Sequence, residues 1–264
     1  MRRTIIFALA GFELAILLQA CTSASATTET TVSASSTTLP HWTYEGEEGP
    51  DNWGEMSEAY VLCADGSAQT PIDITDTEEM AILDPTFAYE KSPALIFNNG
   101  HTIEAEAEEG NSVSVHGARS ALKQIHFHAP SEHTIDEVSY AAEVHFVHKT
   151  EAGEITVVGV LIEEGPKANA AWQPYIEGMG LSKDEELETT IDWEAMLPES
   201  HMTYRYTGSL TTPPCTEGVH WMLMETPVQL SAEQIAAMTD AYEGNNRPVQ
   251  DTNGRVIEMD TSSN

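Results

Sequence analysis

The segment Gln124-Ile125-His126-Phe127-His128 alternates polar and apolar residues without a break, and it constrains the fold more than any other stretch of this chain. Period two belongs to a strand, whose successive side chains leave on opposite faces, so Gln124, His126 and His128 share one face while Ile125 and Phe127 share the other. The pattern returns in Glu143-Val144-His145-Phe146-Val147, which sets Glu143, His145 and Val147 on one face. Short runs rich in Val, Ile, Phe and Tyr occupy 94–97, 112–116, 123–128, 141–148, 155–162, 202–207 and 219–228, bounded by Gly, Pro, Asn or Glu-rich turns. Helical patterns are few. The clearest spans 232–242, opened by Ser231 with Gln234 as a capping box and stopped by Gly244; a shorter helix is expected at 181–187. From Leu39 onward there is no second linker, low-complexity block or internal repeat, so one β-dominated domain over 40–264 fits better than two.

The N-terminus has a different composition. Arg2 and Arg3 precede an apolar run over 5–18 and then Gln19-Ala20-Cys21, which reads as an export signal over 1–20. The run is short for a membrane span, and Glu13 interrupts it. Leu18-Gln19-Ala20-Cys21 resembles a bacterial lipobox, with Gln where a small or apolar residue is usual. Two outcomes stay open: lipidation of Cys21, or ordinary cleavage near Ala26. Residues 22–38 hold twelve Ser or Thr among seventeen and no aromatic residue, too little to offset the entropy of ordering, so 21–39 is expected to be a flexible tether. Either way the expected product is exported, to the periplasm or the cell surface.

Charge narrows the partners. The chain has 11 Lys plus Arg against 43 Asp plus Glu, a formal charge of −32. Losing 1–20 removes two Arg and one Glu, leaving 9 against 42, or −33. Such a surface repels phosphate backbones, which excludes nucleic acid and anionic lipid met through a basic face. It is tolerated best where salt screens the self-repulsion, so it is read as a mark of a saline habitat. If Cys21 carries lipid, Cys63 and Cys215 remain, either as a disulfide in an oxidising compartment or as two unrelated buried thiols.

The histidines carry the chemistry. If the two alternating strands pair antiparallel, His126, His128 and His145 converge. Three neutral imidazoles with an open fourth position are what a catalytic zinc site requires, whereas a structural zinc more often takes four ligands with Cys among them. Gln124 and Glu143 each precede a proposed ligand by two residues on the same face, where they can bind its other ring nitrogen and fix its tautomer. The competing reading, three core histidines in ordinary strands, does not account for the flanking Gln and Glu.

Around these residues the chain resembles the α-class carbonic anhydrases over 41–250. The shared pieces come in the family's order: His41-Trp42-x-Tyr44, Gln69-Thr70-Pro71-Ile72-Asp73-Ile74, Asn98-Asn99-Gly100-His101, the 124–128 segment, Ser131-Glu132-His133-Thr134, 141–148, Tyr206-Thr207-Gly208-Ser209-Leu210-Thr211-Thr212-Pro213-Pro214 and Asn245-Asn246-Arg247-Pro248. Thr70, where Ser is commoner, is a mild departure. The resemblance implies a mainly β fold: a single domain on a large, twisted, mostly antiparallel central sheet with short peripheral helices. It implies a zinc enzyme that reversibly hydrates carbon dioxide to bicarbonate and a proton by zinc-hydroxide attack. His126, His128 and His145 would bind zinc, with Gln124, Glu143 and the backbone of Asn245 as their partners. Thr211 would accept a hydrogen bond from the hydroxide and direct its own proton to Glu132. His101 would shuttle protons, beside ordered water held by Tyr44 and Asn99. Thr212 would line the substrate side, and Val147, Val157, Leu210, Val219 and Trp221 the apolar wall. Cys63 and Cys215 match the disulfide of exported members.

The chemistry of such a reaction suits these residue types. Carbon dioxide is small and apolar and needs a dry pocket. Zinc lowers the pKa of bound water to about 7, and an imidazole with an ordinary pKa near 6.5 suits proton export. The surplus of carboxylates is expected to raise the pKa of His101. His133 and His148 are expected to be buried hydrogen-bonding residues, and His116, His201 and His220 surface or structural. Glu163, Glu164, Glu104, Glu106, Glu108 and Glu109 are expected to form solvated acidic faces. Two other readings are a silent binding module of this fold and a zinc-delivery lipoprotein, but the full histidine set and its place in strands weigh against both. The oligomeric state, a homodimer included, is not legible here.

Overall fold

A computed structural model describes residues 39–82, 85–115 and 117–260. The export signal, Cys21 and residues 22–38 of the tether lie outside the described residues, as does His116. Among the described residues thirteen strands make one mixed sheet. Ten of these are β1 (Glu78–Met80), β2 (Lys91–Asn98), β3 (Ile103–Ala107), β4 (Ala118–His128), β5 (Ala142–Lys149), β6 (Ile155–Glu164), β7 (Glu186–Asp192), β8 (Thr203–Ser209), β9 (Glu217–Met224) and β10 (Glu258–Asp260). Across the sheet they run β7-β2-β3-β4-β5-β6-β9-β8-β10-β1. Neighbours on this path are antiparallel except β6 with β9 and β10 with β1, so the sheet is mainly antiparallel, as the sequence led us to expect.

Alternation decides which side chains meet. Phe127, Ile125, Val144, Phe146, Val158 and Val160 point to one face and build the larger core with Trp172, Tyr175, Trp193 and Met238. Met238 belongs to the helix Ala232–Ala241, whose Ser231 accepts from the Gln234 amide while the Gln234 side chain reaches back to the Ser231 amide, the expected capping box. The opposite face carries His126, His128 and His145 beside a smaller cluster of Val157, Leu161, Val219, Trp221 and Leu223. Burying a Phe or Val of either cluster is worth about 1.5–3 kcal/mol.

Two elements differ from expectation. Residues 181–187 do not form a helix: Leu181 is extended, Asp184 takes a left-handed φ of 75°, and Glu186 opens the edge strand β7 against β2. Leu, Lys and Glu favour a helix over 181–187, but Thr189, Thr190 and Ile191 just beyond are β-branched and fit a pleated edge. The run 219–228 divides into β9 and a separate strand Val228–Leu230, because Pro227 cannot donate to a ladder; the second piece rejoins the sheet parallel to β6.

Candidate metal centre

Strand register assembles the site. On β4 and β5, His126 lies opposite His145, and Glu143 opposite His128. The three ring centroids stand 5.1, 5.1 and 4.7 Å apart, and one nitrogen from each ring falls within 4.8 Å of the others. The remaining nitrogens are all engaged. His126 Nδ1 donates to Gln124 Oε1 at 2.8 Å, His128 Nδ1 to the Asn245 carbonyl at 2.6 Å, and His145 Nε2 to Glu143 Oε1 at 2.8 Å. These bonds leave Nε2 of His126, Nε2 of His128 and Nδ1 of His145 as lone pairs on the inward side. His128 Nε2 is buried with no hydrogen-bond partner, and a polar atom in that position calls for a ligand. Burial holds all three imidazoles below their ordinary pKa, His128 at about 4, which keeps them neutral and able to bind a cation. Three neutral nitrogen donors, each oriented by an acceptor, fit zinc.

Glu143 organises the floor. Its Oε1 accepts from His145 Nε2 and, at 2.7 Å, from His133 Nδ1; its Oε2 accepts the amides of Glu132 (3.0 Å) and His133 (2.8 Å). Burial alone would raise its pKa, but the electrostatic interactions and hydrogen bonds with His133 and His145 outweigh it and hold the carboxylate well below its ordinary value. The chain of bonds continues from His133 Nε2 to the Tyr206 hydroxyl at 2.6 Å and from there to Thr70 Oγ1 at 3.3 Å. His133, Glu143 and His145 also cluster closely enough for a metal, but their facing atoms are occupied with one another. His133 and His148 are both buried and hydrogen-bonded, as expected. Beside Glu143, Gly159 on β6 leaves no room for a side chain: a Cβ there would stand 2.8 Å from Leu223 Cδ1 and 3.1 Å from Glu143 Oε1.

Glu132 is the second buried carboxylate. Its Oε1 accepts the Arg247 amide at 2.8 Å. Its pKa rises to about 7, mainly through burial, against the opposing pull of His145, the Arg247 amide and the Thr211 hydroxyl. Arg247 carries no role in the sequence reading, though it lies in a segment noted there. Its buried guanidinium donates to Gln69 Oε1, the Thr70 carbonyl and the Cys63 carbonyl, each at 2.8 Å, and its pKa falls to about 10 through burial. Cys63 and Cys215 form a disulfide with Cα atoms 5.1 Å apart. Cys215 follows Pro213 and Pro214, so the crosslink ties the chain just after Thr211 and Thr212 to Cys63, whose carbonyl Arg247 holds. Val157, Val219 and Trp221 are buried in one cluster, with Val147 and Leu210 packed on it, and the Trp221 ring stands 4.9 Å from that of His145. The Tyr44 ring lies 6.5 Å from that of His128, and its hydroxyl pKa is raised by burial and by Glu132.

His101 lies on the turn between β2 and β3, apart from the three-imidazole cluster. The Asn99 side chain shapes this turn, with Oδ1 accepting the amides of His101 (2.9 Å) and Thr102 (3.0 Å). The His101 ring stacks on Trp42 at 3.8 Å and 10°, a contact the sequence reading missed although Trp42 sits in a segment quoted there. Its pKa is lowered, not raised: partial burial is the largest cause, followed by electrostatic repulsion from the neighbouring His41 and Lys183. The acidic surplus of the whole chain does not reach it, because screening and distance make the nearest groups decide. Glu104 also departs from expectation. It is no solvated residue; it is half-buried, lies opposite His126 on the neighbouring strand, and accepts from Asn99 Nδ2 at 3.0 Å. His220 is exposed, and His201 packs on Phe87.

A mainly antiparallel sheet bearing three convergent imidazoles beside a dry wall defines a class of metalloprotein, and comparison with known proteins places the chain within it. The family model for eukaryotic-type carbonic anhydrase matches residues 48–261. A carbonic anhydrase of Pectobacterium atrosepticum is 39% identical over 251 residues, covering 93% of this chain and 98% of that protein. Among solved structures, the α-carbonic anhydrase of Thermovibrio ammonificans, in complex with the inhibitor sulfanilamide, gives a TM-score of 0.78 at 40% identity, covering 83% of this chain and 98% of that one. A hyperthermostable carbonic anhydrase from an active hydrothermal vent chimney gives 0.79 at 42%, covering 83% and 100%. The chain belongs to the eukaryotic-type, or α-class, carbonic anhydrase family. It is an enzyme of that zinc-dependent family, whose membership implies reversible hydration of carbon dioxide.

Proposed function

We propose that this chain hydrates carbon dioxide reversibly at a zinc ion held by His126, His128 and His145. The observation that carries the reading is the inward convergence of three lone pairs whose partner nitrogens are all engaged. Zinc, when bound, supplies Lewis acidity that brings the pKa of water to about 7. The protein's own residues do the rest. Gln124, Glu143 and the Asn245 carbonyl hold the imidazole protons outward, so the metal faces neutral donors. Glu132, pinned by the Arg247 amide, is placed to accept a hydrogen bond from the Thr211 hydroxyl, which would turn the hydroxyl's lone pair toward the site. Val147, Val157, Leu210, Val219 and Trp221 exclude water where an apolar substrate must sit, with Thr212 at their margin. His101, half-exposed beside Trp42, accepts the product proton through water and passes it to buffer; its lowered pKa favours quick release.

We further read the enzyme as exported, anchored by lipid at Cys21, and adapted to saline surroundings. The −33 charge left after removal of 1–20 supports the last point, and the lipobox-like segment supports the anchor. A lipid adduct on Cys21 in the mature protein is the expected mass-spectrometric result, and a free N-terminus at Thr27 overturns the anchor. For the activity, zinc stoichiometry and carbon dioxide hydration are measured on one purified sample. His145→Ala is expected to lose both while the far-ultraviolet dichroism of the sheet persists, and near-normal hydration by that variant overturns the assignment.

A further inference from the structure

Between the helix Ala232–Ala241 and β10 the chain runs without regular structure, and there Asn245 makes an unusual set of contacts. Its backbone carbonyl takes the His128 Nδ1 proton. Its side chain, in a residue only 2% exposed, does something separate. Oδ1 accepts the Ala129 amide at 2.8 Å, and Nδ2 donates to the Phe127 carbonyl at 3.0 Å and to the His101 carbonyl at 3.2 Å. Every hydrogen of the carboxamide is used. Two of the three bonds clamp the peptide groups on either side of His128, and the third reaches the backbone of His101. The Thr102 hydroxyl, donating to the same Phe127 carbonyl at 2.7 Å, adds a second stitch from the His101 turn to β4.

We propose that the Asn245 carboxamide is a positioning residue for proton transfer, fixing the His101 turn against the end of the strand that carries His126 and His128. The proposal rests on the reading of His101 as proton carrier. A proton crossing a short water bridge depends steeply on the separation of its endpoints, and a buried amide bonded to both ends sets that separation more rigidly than a surface contact. The attack on carbon dioxide depends on the imidazole rings of the metal ligands and on the apolar wall, to which this carboxamide makes no bond, although it does hold the peptide groups that flank His128. The rate of proton export is therefore what it controls.

Two variants test this. Asn245→Ala removes all three bonds, while Asn245→Asp keeps an acceptor for Ala129 and removes the donors to both His101 and Phe127. The first readout is amide exchange on the zinc-free protein. Both variants are expected to lose about tenfold or more of the protection at His101 and Thr102 while the amides of β5 and β6 keep theirs, as in a local opening. The second is hydration by the zinc-loaded enzyme at low buffer: kcat is expected to fall about 3- to 10-fold and by clearly more than kcat/KM, with imidazole buffer restoring most of the excess loss in kcat. Unchanged protection in the turn, a uniform loss of protection across the sheet, or parallel falls in kcat and kcat/KM would each overturn the proposal. Should the wild-type protein fail to hydrate carbon dioxide, the functional reading falls with it, whereas the exchange experiment still reports whether the carboxamide holds the turn.

Discussion

Glu143→Gln keeps the shape of a buried side chain and changes one atom, so its effect can be worked out bond by bond. The carboxylate accepts four hydrogen bonds, two from imidazoles at Oε1 and two from backbone amides at Oε2. A carboxamide has one oxygen, and its NH2 must face either the imidazoles or the amides. In both orientations two buried donors lose their acceptor, at about 1–3 kcal/mol each, so the zinc-free protein is expected to lose about 2–6 kcal/mol of stability. No cavity is made, so packing adds nothing. With the NH2 toward His145, the ligand loses the acceptor that sets its tautomer, and zinc affinity falls about 10- to 100-fold. The pH dependence follows from the same geometry. Glu143 is held well below its ordinary pKa, so its stabilisation is present above the unfolded value of about 4.3 and is lost as pH falls through the folded one. The gap between wild type and variant should be constant from neutrality down to about pH 5 and close below that. Urea unfolding of the zinc-free protein and zinc competition against a chelator measure the two quantities. A stability loss under about 1 kcal/mol together with unchanged zinc affinity would refute the reasoning.

His101→Ala is expected to lower kcat at least about tenfold at low buffer while sparing kcat/KM, with imidazole restoring much of the loss; an unchanged kcat would pass the role to Glu104. Removing the Cys63–Cys215 crosslink by Cys→Ser at both positions should cost about 2–5 kcal/mol in denaturant unfolding, and equal midpoints for the two proteins would show that the bond contributes nothing. His148, with Nδ1 bonded to the Thr156 carbonyl and Nε2 to the Tyr89 hydroxyl, is held at a pKa of about 4 chiefly by burial. Because the unfolded chain binds that proton from about pH 6.5 down, His148 destabilises the fold by about 3 kcal/mol between there and pH 4 and has no effect above neutrality. His148→Gln should flatten that part of the stability curve, and an identical slope in the variant would exclude His148 as its source.

Local spacing was enough to place the strand faces, because side-chain direction in a strand depends only on parity and parity can be counted along the chain. The alternation at 124–128 and 143–147 therefore foretold that three imidazoles would share a face, and Ser231 with Gln234 foretold where the longest helix among the described residues starts. Residues 181–187 and 219–228 were misjudged where parity competes with other signals: the Leu, Lys and Glu residues of 181–187 suit a helix on propensity alone, and the apolar run at 219–228 conceals the break that Pro227 makes. Glu104 looked solvated because its own stretch is acidic; its half-burial comes from β2 and β4 on either side, and no local pattern encodes a neighbour. Arg247 meets Cys63, Gln69, Thr70 and Glu132 across more than a hundred residues of chain, and Trp42 covers His101 from a segment 59 residues away. Composition predicted a raised pKa for His101, but partial burial and the nearby His41 and Lys183 lower it, and proximity outweighs the total charge. Which residues face inward is a one-dimensional property of the chain. Which of them touch, and how far each proton is held from water, depends on long-range register and burial that exist only once the sheet has closed.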